Sequence, residues 1–159
     1  MTLAERVLAL LQERGQTLAT AESLTGGRLA SALTGVPGAS RSYVGGVVAY
    51  ATSVKEMVLG VPAELVAQYG VISAECALAM ARGAAGVTGA TWGIGTTGVA
   101  GPDLQEGKPA GTVHVGLVGP GASTALALEL VGGREAIQDR TCQEALSALA
   151  DMLSTSHVG

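Results

Sequence analysis

The segment Thr20-Ala21-Glu22-Ser23-Leu24-Thr25-Gly26-Gly27 lies where a short apolar run ends and a helical pattern begins. A helix start presents unpaired N–H groups and a partial positive charge, and Gly26 and Gly27 let a ligand approach those groups closely. Such a place suits a phosphate or an oxyanion, with Ser23 as a nucleophile; equally, Ser23 or Thr25 reads as an ordinary helix cap. The segment matches neither GxSxG nor a phosphate-binding loop with lysine after its second glycine. A second group is Ser40, Tyr50 and Lys55. Lys55 stands among Val54, Met57 and Val58, and Lys108 is the only other lysine. Burial lowers a lysine's pKa, and a neutral amine is a general base; the other reading is a surface lysine with its stem packed down. Tyr50 either orients a polar ligand or fills the core, and Ser40 alone reads as a turn residue. A third group, Thr96-Thr97-Gly98-Val99-Ala100-Gly101-Pro102, suits a pocket wall at the carboxyl edge of a sheet, or a plain Gly-Pro loop. Arg134 follows Gly132-Gly133 at the start of a helix, where a cation opposes the dipole; it either holds an anion or faces solvent.

The elements that must position these residues follow from periodicity and punctuation. Thr2 as N-cap, an apolar side of Leu3, Val7, Leu8, Leu10 and Leu11, and Gly15 as stop predict a helix over 2–14. Residues 17–21 read as a buried strand, 28–33 as a helix, 36–40 as a turn and 43–51 as a tightly packed strand. Short helices are predicted over 54–59 and from Pro62 to 68, and a longer one from the cap Ser73 to about 86. Residues 90–97 read as a strand, 98–110 as a Gly/Pro-rich loop holding Asp103, Glu106 and Lys108. Strands at 111–118 and 123–130 share so short a turn that they must be antiparallel. A last helix runs from 134 to 153 with Ile137, Ala145, Leu146, Leu149 and Leu153 inward. The outline α-β-α-β-α-β-β-α predicts one α/β domain over 1–159, a three-layer α/β/α sandwich with a mixed sheet.

Composition sets the limits. Of 159 residues, 48% are hydrophobic and 14% charged, with mean hydropathy +0.41, which excludes general disorder. Phe is absent and aromatics are 3%, so the core must be built from Ala, Val, Leu and Ile. The 24 glycines are about twice the usual share of roughly 7%. Net charge is −4 with no basic cluster, which argues against nucleic acid and anionic membranes as partners. The longest stretches lacking charge, 83–102 and 109–128, are broken by glycines and threonines and do not read as membrane spans. The N-terminal residues Glu5, Arg6, Glu13 and Arg14 interrupt any signal-peptide core, so a cytoplasmic location is expected. Cys76 and Cys142 read as buried thiols. His114 and His157, a strand and a tail residue, exclude a multi-histidine metal site, and no metal or cofactor is expected. The apolar composition predicts a homodimer.

The stretches TAESLTGG, PGAS, GGVVAYATSVKEMVLGV, YGVISAE, TTGVAGPD, KPAGTVHVGL and GGREAIQDRTCQEAL together resemble the CinA C-terminal domain family, over nearly the whole chain. That family includes the nicotinamide-nucleotide amidohydrolases. The resemblance implies an α/β/α domain that hydrolyses nicotinamide mononucleotide (NMN) to nicotinate mononucleotide and ammonia by a metal-free serine/lysine mechanism. It implies Ser40 as nucleophile, Lys55 as base with Tyr50 orienting the pair, and Ser23 in substrate binding. Local position alone favours Ser23 over Ser40. Pocket-lining roles are implied for Thr25, Gly26, Gly27, Thr97, Gly98, Ala100, Gly101 and the KPAGTV segment, with Arg134 as the arginine of the last motif. Leu24 stands where the family has cysteine. Ala51-Thr52 replaces Ser-Asn, removing polar groups near Lys55, and Gln138 stands where a second arginine is common, removing a phosphate contact. The rival class is a nucleotide- or protein-binding module without catalysis.

Overall fold

The computed structural model describes residues 1–155; His157 lies outside them. Helix α1 (Leu3–Arg14) is capped as its sequence requires: the Thr2 hydroxyl accepts from the Glu5 amide, and Gly15 closes the helix in the left-handed region at φ 64°. Strand β1 (Leu18–Glu22) follows, then helix α2 (Arg28–Thr34), a 3₁₀ turn (Ala39–Arg41), strand β2 (Tyr43–Val48) and helices α3 (Thr52–Met57) and α4 (Ala63–Tyr69). Helix α5 (Ala74–Thr88), capped by Ser73, leads into β3 (Trp92–Gly98), the hairpin of β4 (Thr112–Gly119) and β5 (Ala122–Glu129), and α6 (Arg134–Thr155). The sheet order is β2-β1-β3-β4-β5. β1 pairs parallel with β2 and β3, and β3-β4 and β4-β5 are antiparallel. This is the expected mixed sheet and the expected hairpin.

Alternation along β1 sorts the layers. Leu18 joins a core with Val7 and Leu11 of α1, Leu29 and Leu33 of α2, and Ile137 and Leu149 of α6. Ala19 and Ala21 face the other way, towards Leu59, Val61, Ile72, Cys76 and Met80. On that second face α5 lies almost on the sheet. A Cβ at Gly95 would stand 2.3 Å from the Ala77 carbonyl oxygen, and one at Gly116 2.5 Å from the same atom. Glycine in the sheet and alanine in the helix are therefore one feature, a close approach that large side chains forbid. It accounts for a core with so few aromatics.

The second strand ends earlier than its apolar run. The Ala49 amide makes the last bond to β1, on the Glu22 carbonyl at 2.8 Å, and the carbonyls of Ala49 and Tyr50 lie past the end of the strand. The carboxyl ends of β1, β2 and β3 lie side by side there, and the loops after them build the site. Among the described residues, no helix is long and apolar enough to cross a membrane.

Candidate active site

Ser23 follows directly on β1, and its amide is tied to the Thr96 carbonyl of β3 at 3.0 Å. Its hydroxyl, in a residue only 9% exposed, meets the amine of Lys55 at 3.0 Å. Lys55 comes from α3 and is 2% exposed. Its Nζ also donates to the carbonyls of Ala49 (2.8 Å) and Tyr50 (3.1 Å). Neither described salt bridge involves it. Burial lowers its pKa below the usual lysine value, against the weaker opposing influence of Cys76 and Glu106.

As an ammonium, Lys55 donates to all three oxygens, the Ser23 hydroxyl included, and loss of one proton changes that pattern. Carbonyl oxygens can only accept. In the neutral amine the two N–H groups go to Ala49 and Tyr50, which leaves the nitrogen lone pair for the Ser23 hydroxyl. The serine then donates its proton towards the lysine, the geometry a general base needs.

A cavity of about 290 Å³ opens on Ser23, lined also by Leu24, Tyr50, Gly98 to Gln105 and Arg134. Arg134, the first residue of α6, donates to the Gly101 carbonyl and, at 3.1 Å, to the Tyr50 hydroxyl. Tyr50, a residue 63% exposed, thus serves Lys55 through its carbonyl while its hydroxyl meets Arg134 at the cavity. Among the described hydrogen bonds, none uses the backbone N–H of Leu24, Ala100 or Gly101. All three residues line the cavity, as do Tyr50, Asp103 and Leu104, whose amides are equally unused among the described hydrogen bonds, so the wall offers several donors for an oxyanion.

The start of α2 is not available for one. Glu22, 1% exposed, folds its carboxylate over that helix end and accepts from the Leu29 (2.8 Å) and Ala30 (3.0 Å) amides. The expectation that Gly26 and Gly27 open this helix end to an anion is corrected accordingly. An acid closing an apolar strand just before a helix was the sequence signal for such a cap. Thr25 bonds Thr96 through buried hydroxyls at 2.8 Å, the Gly26 amide closes a turn on the Ser23 carbonyl, and Gly27 precedes the helix at φ 98°. None of the three lines the cavity.

Ser40 is not brought to Lys55. It lies exposed in the 3₁₀ turn before β2, beside a separate cavity with Val36, Pro37 and Tyr43, while Lys55 lies beyond the other end of that strand. Six residues of strand set them roughly 20 Å apart. Thr97 also turns elsewhere, donating to the Val71 carbonyl at 2.7 Å. Gly98, Ala100 and Gly101 do line the cavity, but the KPAGTV segment does not. Lys108 instead donates to the Ile72 carbonyl, and Glu106 accepts from the Val71 and Ile72 amides, each at 3.0 Å. Together they fasten the cavity loop to the turn before α5. Asp103, the last residue of the TTGVAGPD stretch, joins the wall, as do Leu104 and Gln105, which no motif announced.

Ala51 occupies the cap position of α3, with no side-chain cap. A serine at this position, which the resemblance leads one to expect, would stand where a hydroxyl can cap the helix. Gln138 is buried and donates to the Leu24 carbonyl. Both cysteines are buried, which pushes the Cys76 thiol up to about 11 and Cys142 to about 12. His114 lies on β4, off the cavity, with its pKa lowered by burial. Among the described residues, no group of three or more His, Cys, Asp and Glu could hold a metal ion.

Residues 1–153 match the model of the CinA C-terminal domain. A CinA-like protein of Frankia casuarinae is 49% identical over 148 residues, 93% of this chain and 34% of that protein. One from an Anaeromyxobacter species is 52% identical over 144 residues, 90% of this chain and 35% of its own length. The chain therefore spans about a third of those relatives. The crystal structure of a CinA superfamily protein from Klebsiella pneumoniae superposes with TM-score 0.94 at 35% identity, covering 97% of each chain. The competence/damage inducible protein CihA of Agrobacterium tumefaciens gives 0.90 at 34% identity, covering 96% of this chain and 93% of that one. The motifs, the fold and these matches agree: the chain belongs to the CinA C-terminal domain family.

Proposed function

We propose that this domain is an amidohydrolase of the serine/lysine type and that its substrate is nicotinamide mononucleotide. One observation carries the chemistry: a buried lysine amine 3.0 Å from a serine hydroxyl, its other hydrogens taken by two carbonyls. Lys55 takes the Ser23 proton as Oγ bonds to the carboxamide carbon. The oxyanion is met by cavity-wall N–H groups. The C–N bond then breaks, and the lysine ammonium gives its proton to the departing ammonia. Water attacks the acyl-serine with Lys55 again as base, releasing the carboxylate product and Ser23. The scheme calls on no metal or redox group. Arg134, at the cavity wall, supplies a cation for the anionic part of a nucleotide.

The test is ammonia release from purified protein and NMN. Release that scales with enzyme is the expected result. A rate equal to the blank at high concentration of folded protein defeats the reading of the substrate. We further propose that the chain self-associates. Val44 and Val48 on the outer strand β2, and Met57 and Val58 just beyond it, leave apolar side chains exposed. Light scattering is expected to give twice 15.7 kDa at micromolar concentration; a mass of 15.7 kDa that holds on concentration contradicts it.

A further inference from the structure

We infer that Gln138 is a positioning residue for the Ser23 turn, an inference that rests on Ser23 and Lys55 being the reactive pair. Gln138 is 7% exposed, and its Nε2 donates to the Leu24 carbonyl at 2.9 Å. Leu24 and Thr25 are the two central residues of the turn closed by the Gly26 amide on the Ser23 carbonyl at 3.1 Å. The peptide between two such residues is the one that can flip, exchanging one turn type for the other. Its oxygen is the atom that Gln138 holds. A flip also needs positive φ at Thr25, which a β-branched residue resists, and the only non-glycine residue described with positive φ is Glu106.

The direction of that carbonyl matters because Leu24 lines the cavity beside Ser23. Held towards α6, the oxygen stays away from the place where negative charge develops. Swung into the cavity, it repels the oxyanion and loosens the backbone that carries Ser23. Gln138 itself does not line the cavity, so it acts through Leu24. Four residues earlier on the same helix face, Arg134 holds Gly101 on the opposite wall. One turn of α6 therefore sets both walls of the site. An arginine at 138 would carry a charge here, whereas glutamine meets a lone carbonyl with a neutral donor.

Two variants test this. Gln138→Met keeps the length and removes the donor. Gln138→Glu keeps the shape and donates only while protonated. The readouts are kcat and KM for NMN, and the rate at which a fluorophosphonate modifies Ser23, followed by protein mass. In that reaction a Ser23 Oγ–phosphorus bond forms, fluoride leaves and Lys55 takes the serine proton, so it reports the pair whatever the substrate. Gln138→Met is expected to lower both kcat and labelling about tenfold, with KM within twofold. Gln138→Glu, taken as a ratio to unaltered protein at each pH, is expected near that protein at low pH and near the Met variant as pH rises. If the Met variant does not fold, the pH dependence of the Glu variant decides alone. Equal rates in folded variants at every pH overturn the inference, as does a Glu variant whose ratio is flat with pH. Unaltered protein that is not labelled at Ser23 overturns the reading of the reactive pair, and this inference with it. Normal labelling without ammonia from NMN overturns only the substrate.

Discussion

Ser23→Ala is expected to abolish ammonia release from NMN, a loss of roughly 10³-fold or more, while Ser40→Ala stays within about twofold of the unaltered protein. Only Ser23 has its hydroxyl against the Lys55 amine, and only Ser23 of the two lines the cavity that Tyr50 and Arg134 share. Its backbone is held by the Thr96 carbonyl and by the turn to Gly26, so alanine removes one oxygen and leaves the frame intact. Folding is read by thermal melting, with no collapse expected, since the lost bond is one of three made by Lys55. The reverse result, an active Ser23→Ala and a dead Ser40→Ala, places the reaction at the opposite end of β2 and removes Lys55 from it. Full activity in both variants leaves covalent serine catalysis without a nucleophile.

The contrast between these serines shows how much of the site is legible in the sequence. Elements defined by local chemistry were legible: the Thr2 cap with its stop at Gly15, the Ser73 cap, and the β4-β5 hairpin with its two-residue link Pro120-Gly121. The α/β/α layering followed from their order. What could not be read was which strand ends meet. Ser40 and Lys55 are fifteen positions apart with a strand between them, whereas Ser23 and Lys55 are thirty-two apart and touch. The parallel pairing of β1 with β2 puts both of the latter at one sheet edge. Local position, a serine where a strand gives way to a helix, pointed to Ser23; matching by motif pointed to Ser40.

Other features were silent for a different reason. The acceptors that hold Lys55 are main-chain carbonyls, which every residue carries, so no residue type marks Ala49 or Tyr50 for that task. Glu22 looked like part of a reactive motif, yet its carboxylate is spent on the first turn of α2. Thr97 and Lys108 looked like pocket residues, and both fasten the turn at Val71 and Ile72. In each case the side chain type was informative and its direction was not. Direction depends on which face of the sheet the residue occupies, and that depends on partners far away in the chain.

Lys55→Arg is expected to reduce turnover by about 10²- to 10⁴-fold, the usual worth of a general base. Guanidinium keeps its proton at any working pH, so it offers no lone pair to Ser23. It is also planar and larger than the amine, in a site 2% exposed. Lys55→Met, which fills similar space without nitrogen, is expected to match it, separating loss of the base from mere crowding. The unaltered protein is expected to carry the complementary signature. Burial lowers the Lys55 pKa, so the neutral, active form appears at lower pH than for an exposed lysine. Activity should therefore rise with pH along one limb whose midpoint lies below 10.5, the ordinary lysine value. The sign for stability follows the same group. The folded state binds fewer protons here than the unfolded chain, so this residue's contribution grows as pH rises from the lowered value towards the ordinary one. In Lys55→Met both the limb in activity and that contribution to stability should vanish together. A residual activity in Lys55→Met that keeps the same rising limb assigns the base to another group and removes Lys55 from the mechanism.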